Sequence, residues 1–542
     1  MVDDQQTHRL PADMYALDNV AQLACYENGE ALIAALAPQA EAVGRLYDDL
    51  DQPGAEAVAT LDAALATGGF TDPGAARERI AAWREGRTRT TRSEAARSAL
   101  DAVLPALIAA LGHAPAPDAA FNRFDDLVAR LPSAINLFRL LEARPALIGQ
   151  LAAVLSHAPT LAAALSRRAS LLDGLIDASA LAPAPSVPDL VDSWRKGERG
   201  EDYQGLLDRI RIAVGEQRFE LGVQLITGAA DPIEVGRGYG RVAESALDIL
   251  ATAAATEFET AHGAVPGGEL VILALGRFGG GVMTDASDLD LIYLFTGDFL
   301  VESDGRRPLG ATTYFQRLAQ RVSAAMSVPT AAGPLYEIDT RLRPSGNQGL
   351  LAVSVDSFAR YEEESAWTWE HMALTRARPV FGSAEARAEV QAIIDATLHR
   401  PRDAAALTAD AVKMRGDIAT HKPPAGPLDV KLIDGGLVDA EFAVHLLQLR
   451  EHVGLEPDLA RAIAALERDG LLCAGFGDAF ALLTRMLITL RLVAPDSTEP
   501  AEASRPLVAR RCGHEDWAAL RVAYEAARAL VSQEWRRVAG LG

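Results

Sequence analysis

Two short apolar runs, Glu269–Leu275 (ELVILAL) and Asp288–Phe295 (DLDLIYLF), flank a glycine-rich turn in a chain that otherwise repeats with helical periodicity. Each run is too short for a core helix and too apolar for a surface loop, so each predicts a buried strand. A helix is predicted over Thr312–Met326, with Phe315, Leu318, Val322 and Met326 on one face. A third strand is predicted over Leu335–Arg343, stopping at Pro344. Strand, loop, strand, helix, strand in so short a span makes a small α/β unit.

The rest of the 542 residues reads as helix. Before the unit, helices are expected over Glu27–Leu36, Ala40–Leu50, Ser93–Leu111, Ala119–Leu131 and Leu137–Leu155. Breaks are expected at prolines 38, 53, 105, 115, 117, 132, 145 and 159, with Pro105 kinking its segment. Ala146–Ser166 carries no Asp, Glu, Lys or Arg. Its Gln150, Ser156, His157 and Pro159 favour two short buried helices over a membrane span. Leu181–Pro188 (LAPAPSVP) reads as a connector, and Arg87–Arg97 as a solvated basic face. After about residue 355 the pattern is helical to the end. The expected fold class is α+β and mostly α-helical. The expected division is a helical region over 1–235, the sheet-bearing domain over 236–355 and a C-terminal helical domain over 356–542.

Charge narrows the partners. Lys plus Arg is 52 against 74 Asp plus Glu, a formal net charge of -22. Phosphate backbones need clustered cations, so general nucleic-acid binding is not expected. Cys25, Cys473 and Cys512 show neither metal-ligand spacing nor a disulfide framework, and the opening residues are polar and acidic. A reducing cytoplasm and no membrane are the expectation.

The chemistry concentrates in Leu275–Phe295 (LGRFGGGVMTDASDLDLIYLF). Gly279, Gly280 and Gly281 allow close backbone approach and can offer N–H groups to phosphate oxygens. Strand alternation puts Asp288 and Asp290 on one face, followed there by Ile292 and Leu294. Paired carboxylates where a strand enters the core repel unless neutralised, and Mg²⁺ or Mn²⁺ would bind them together with phosphate oxygens. Two solvated aspartates at a strand end are the plain alternative. Asp339, Arg341 and Arg343 share a face of the third predicted strand: an acid for a second metal or a proton, beside two guanidiniums for phosphates. Mutual salt bridging is the alternative there. Together these groups suit attack of a hydroxyl on the α-phosphate of a nucleoside triphosphate, with a tyrosine phenol as one suitable nucleophile.

The Gly-Gly, Asp-x-Asp, distal Asp order resembles the nucleotidyltransferase superfamily, which implies a small mixed sheet flanked by helical domains. Longer blocks narrow the resemblance: LGRFGGGVMTDASDLDLIY, YEIDTRLRPSGNQGLLAVSVDSFARYEEESAWTWEHMALTRARPV and DVKLIDGGLVDAEFAVHLLQLREH. They look like the C-terminal catalytic half of glutamine synthetase adenylyltransferase. FELGVQLITGAADP at Phe219–Pro232 is similar to that family's interdomain helical region, and VDDQQTHRLP at Val2–Pro11 to the segment after its first catalytic domain. The resemblance implies an enzyme that moves AMP from ATP to a tyrosine of glutamine synthetase, with a PII-type signal protein as a further partner. It implies Asp288, Asp290 and Asp339 as metal ligands. Gly279, Gly280, Ser287, Arg341, Arg343 and Lys431 become candidates for nucleotide binding, with Lys431 in a strand-like run. Gly281 departs from the pattern, standing where a charged residue is expected. Trp367, Trp369 and His371 are expected to serve packing, and Asp439 to favour a helix N-terminus. Only one Gly-Gly plus Asp-x-Asp signature occurs, so the adenylylating domain is expected and the deadenylylating one is not. The alternatives are a non-catalytic fragment that binds glutamine synthetase or a PII-type protein, or a nucleotidyltransferase with another substrate.

Overall fold

The computed structural model describes residues 13–24, 26–37, 61–114, 116–131, 134–168, 170–174, 182–196 and 201–541. The expected helix over 40–50 and the opening segment 2–11 lie outside the described residues. Residues 1–66 and 67–542 form separate units. In the first, Asp13 caps the helix Met14–Leu23, a second helix covers 29–37, and Leu17, Ala21 and Leu32 pack together.

In the second unit the sheet is small and mixed. Its strands are β1 (Leu270–Ala274), β2 (Leu289–Phe295), β3 (Ile338–Asp339), β4 (Ala352–Ser354) and β5 (Arg378–Phe381). The order is β3-β2-β1-β5, with β4 also on β2. β1 runs antiparallel to β2 and β5, while β3 and β4 lie parallel to opposite ends of β2. Leu289, Leu291, Tyr293 and Phe295 are all buried on one face of β2. The helix Ala311–Ser327 covers that face: Phe315 stacks on Phe295 at 4.7 Å, and Tyr293 Oη meets Ser323 Oγ at 2.9 Å. The predicted stripe of Phe315, Leu318, Val322 and Met326 is wholly buried.

Three expectations need correction. The third strand is only two residues long, because the Asp339 carboxylate accepts the Arg341 N–H at 2.9 Å and turns the chain. The segment after 355 is not all helix, since β5 closes the sheet beside β1. Its Pro379 fits an edge position and hid it from periodicity. Lys431 lies in consecutive turns, not a strand: Asp429 accepts Leu432 N–H at 3.2 Å and Ala425 N–H at 3.0 Å.

Pro117 and Pro159 sit in the first turns of helices, where breaks are expected. Leu137–Leu155 is two helices, Ile135–Ala143 and Ala146–His157, because Pro145 forces Arg144 out of helical geometry. Pro105 does not end its helix, which runs from Glu94 to Gly112. That helix is long and apolar enough to cross a membrane, but it buries Leu100, Leu104, Leu107, Ile108 and Leu111 against its neighbours. The uncharged stretch is two helices, Ala146–His157 and Pro159–Arg167, bent by 116°. Arg87 pairs with Glu85 and Arg97 bonds the Arg92 carbonyl, so this basic stretch is partly tied down locally. The expected boundaries at 235/236 and 355/356 fall inside Pro232–His262 and at the first residue of Val355–Glu364.

The sheet unit is tied to the preceding helices by arginines. Arg211, buried in the helix Tyr203–Thr227, donates to Ala325 O at 2.7 Å, Val328 O at 2.8 Å and Gly333 O at 3.1 Å. It thereby satisfies carbonyls at the negative end of Ala311–Ser327. Arg211→Met keeps the stem but orphans these carbonyls. It should lower stability by about 3 kcal/mol in urea unfolding; an unchanged midpoint would refute the clamp.

Candidate active site

Asp290 and Asp339 are register partners on parallel β2 and β3, and Asp288 lies one residue before β2. One oxygen of each of the three carboxylates lies within 4.8 Å of the others. Gly276 ends the β1 side in left-handed geometry (φ 57°), and a Cβ there would overlap the Asp290 carboxylate. Only glycine leaves the aspartate this space.

Burial first, then Asp288 and Asp339, push Asp290 up to about 6. Lys431 and Arg376 pull it the other way. Asp339 is held below the usual range, chiefly by its hydrogen bond from Arg341, against an opposing effect of burial. Arg341 donates Nε to both Asp339 oxygens at 3.0 and 2.9 Å, yet its side chain is 66% exposed. Partial burial and mutual repulsion, with one direct cation partner among the described residues, suit a site completed by divalent cations.

The glycine turn does something other than expected. Gly279, Gly280 and Gly281 give their N–H groups to Leu275, Gly276 and Phe278 carbonyls at 2.7, 3.2 and 3.1 Å. These amides are committed to the short helix Gly276–Gly279 and the turn after it. The small residues permit dense packing instead. A Cβ at Gly240, on Pro232–His262, would lie 2.8 Å from Gly281 O, and Gly236 O accepts from Met283 N at 3.0 Å. Ser287 is likewise engaged locally: its Oγ accepts Thr284 N–H at 2.9 Å and meets Thr284 Oγ1 at 3.0 Å. The turn carrying Asp288 is fixed from outside by Arg218, which bonds Asp285 at 3.1 Å and Leu335 O at 3.4 Å, and lies 5.3 Å from the centre of the Tyr336 ring. One side chain thus grips both segments that deliver the carboxylates.

Arg343 is bonded locally. Its Nη1 donates to Thr340 O at 2.8 Å and Thr340 Oγ1 at 3.0 Å, bracing the loop after β3. Lys431 has no ion-pair partner among the described residues. Burial and then Arg277 depress its pKa, while Glu441, Asp288 and Asp290 oppose the shift.

A charged layer behind the acids was missed. Arg376 Nη1 meets Glu441 Oε1 at 3.1 Å, and Arg277 Nη2 approaches the same oxygen at 3.7 Å. Burial raises the pKa of Glu441, but Arg376, Arg277 and Lys431 hold it below the ordinary value. All three residues of this layer fall within the sequence blocks quoted above; only folding shows that they meet. Asp439 is structural: it pairs with buried Arg415 and accepts Gly435 N–H at 2.6 Å.

The Trp367–His371 block corrects one expectation. Trp367 is 67% exposed and does not serve packing. His371 Nε2 meets Glu362 O at 3.1 Å, and Tyr361 Oη donates to Glu370 at 2.9 Å.

Residues 148–393 match the family described as glutamate-ammonia ligase adenylyltransferase. Over those residues the chain is similar to that family. It is 39% identical over 497 residues to the bifunctional glutamine synthetase adenylyltransferase/adenylyl-removing enzyme of Mesorhizobium japonicum, covering 88% of this chain and 50% of that one. The enzyme of the same name from Agrobacterium fabrum is 36% identical over 539 residues, covering 94% and 54%. The one from Caulobacter vibrioides is 36% identical over 493 residues, covering 88% and 49%. The chain thus spans about half the length of the curated relatives it matches. All of the β-strands but no residue from 394 onward, Lys431 and Glu441 included, fall inside the family match.

Buried Glu362 gives a pH test outside the acidic trio. Burial, with Glu370 nearby, raises its pKa to about 8. The folded state therefore binds this proton more tightly than the unfolded chain, and stability falls as pH rises from about 4.5 to 8. Glu362→Gln should flatten that fall, gaining on the order of a few kcal/mol over the parent at pH 9 and little at pH 5. Parallel stability–pH curves for the two proteins would contradict the assignment.

Proposed function

We propose that this chain adenylylates glutamine synthetase, moving AMP from ATP to a tyrosine and releasing pyrophosphate. The observation that carries this reading is the convergence of Asp288, Asp290 and Asp339 inside the part of the chain that matches the family. The names of the relatives supply the protein substrate.

In this reading the three carboxylates hold Mg²⁺ or Mn²⁺. The bound cations would neutralise the triphosphate and stabilise the attacking and leaving oxygens. Lys431 and Arg341 are positioned for phosphate oxygens: the first lies among Asp288, Asp290 and Glu441, and the second is exposed beside Asp339. Gly279 and Gly280 shape the nucleotide loop by packing. The phenol oxygen bonds to the α-phosphorus, the bond to pyrophosphate breaks, and the phenol proton passes to Asp339. Arg341 keeps that carboxylate ionised beforehand, and its transfer to a phosphate would leave Asp339 the better base.

The helical region over 1–235 is the proposed receiver of a PII-type signal protein, with 236–355 catalytic and 356–542 adding Lys431, Arg376 and Glu441. A cytoplasmic location fits this role. With one Gly-Gly plus Asp-x-Asp signature in the sequence, removal of AMP by phosphate is not proposed for these residues.

Unmodified glutamine synthetase, labelled ATP and Mg²⁺ should give label on tyrosine when this chain is added. Asp290→Asn should slow the transfer roughly 100-fold or more. No transfer would leave the non-catalytic reading as the better one, and equal transfer by the variant would overturn the role given to the acidic trio.

A further inference from the structure

A polar cleft of about 450 Å³, away from the carboxylates, is lined by the turn Gly228–Pro232 and by Arg485, Arg510, Arg511 and Cys512. Three guanidiniums meet one carboxylate there, in a chain whose overall charge is -22. Asp231 is already used twice: one oxygen accepts Ile233 N–H at 2.9 Å and the other pairs with Arg485 Nε at 2.8 Å.

The other two arginines lack anionic partners among the described residues. Arg511 donates Nη2 to Thr227 O at 3.2 Å, while its buried Nε has no hydrogen-bond partner. The Arg510 side chain is exposed and has no hydrogen bond or ion pair among the described residues. Burial, and then Arg510, lower the pKa of Arg511, so the two like charges feel each other. His157 does not compensate: burial and then Arg510 lower its pKa to about 4, leaving it neutral.

The placement is also specific. Gly228 caps the helix Tyr203–Thr227 in left-handed geometry (φ 83°), and a Cβ there would run into the Arg511 guanidinium. The glycine lets that guanidinium lie across the turn. The cleft further includes the N-terminal end of Pro232–His262, where the helix dipole favours negative charge.

We propose that this cleft binds a phosphoryl dianion, either free phosphate or the phosphate of a phosphomonoester. Its two uncompensated positive charges match a dianion, and guanidiniums offer paired N–H donors to tetrahedral oxyanions. The proposal is independent of the transfer reaction.

Calorimetric titration of the full chain tests it, without divalent metal and at constant ionic strength set with sodium chloride. Inorganic phosphate and glycerol 3-phosphate are the two ligands. Saturable binding should weaken about tenfold or more in Arg510→Ala, and further in Arg510→Glu. It should persist in Arg341→Gln, which alters only the acidic site. Binding of the ester alone would identify a phosphomonoester as the source; binding of both would admit free phosphate. Absence of saturable binding, no change in both Arg510 variants, or loss in Arg341→Gln alone would overturn the proposal. Unchanged circular dichroism in the Arg510 variants would separate lost binding from lost folding.

Discussion

Mutual repulsion among three carboxylates is the constraint around which the central unit is built. Asp288, Asp290 and Asp339 come together because β2 and β3 run parallel in register, and nothing in that pairing favours the charges themselves. Their cost is offset by surroundings rather than by direct bonds. Arg341 touches only Asp339, while Lys431 and Arg376 act on Asp290 through space. The Arg277–Arg376–Glu441 layer adds net positive charge, and its Arg376 lowers the pKa of Asp290. In the proposed reaction, divalent cations would complete a site balanced in this way.

Backbone packing holds the acids in place. The glycines look like a phosphate cradle, yet their amides close a short helix, and their lack of side chains lets Pro232–His262 press on the turn. Arg218 reinforces this arrangement from the preceding helix by gripping Asp285 and the approach to β3 together. Arg211 does the same for the end of the helix that covers the sheet. The helix Tyr203–Thr227 is therefore part of the scaffold of the acidic site.

Much of this was legible in the sequence where a pattern was long and periodic. β1, β2 and the helix Ala311–Ser327 fell within a residue or so of expectation, because their buried stripes leave no other fold open. Alternation also brought Asp288 and Asp290 to one face. It failed for Arg343, because the Asp339 side chain ends the strand and sends the following residues into a turn. β5 was invisible because a four-residue edge strand containing proline carries no period. The Arg277–Arg376–Glu441 layer was invisible because charge pairing between distant segments leaves no local mark.

The helix Pro232–His262 joins these observations. Its 31 residues extend about 46 Å. Its cap pairs with Arg485, and Gly236 and Gly240 seat the glycine turn one and two helical turns later. Such a helix behaves as a keyed shaft: the two ends of this stretch must keep a fixed angular phase. Inserting a single residue between Asp231 and Gly236 would rotate one set of contacts by about 100° relative to the other. Evolution can therefore vary the side chains along its free surface, but not its length over those few residues.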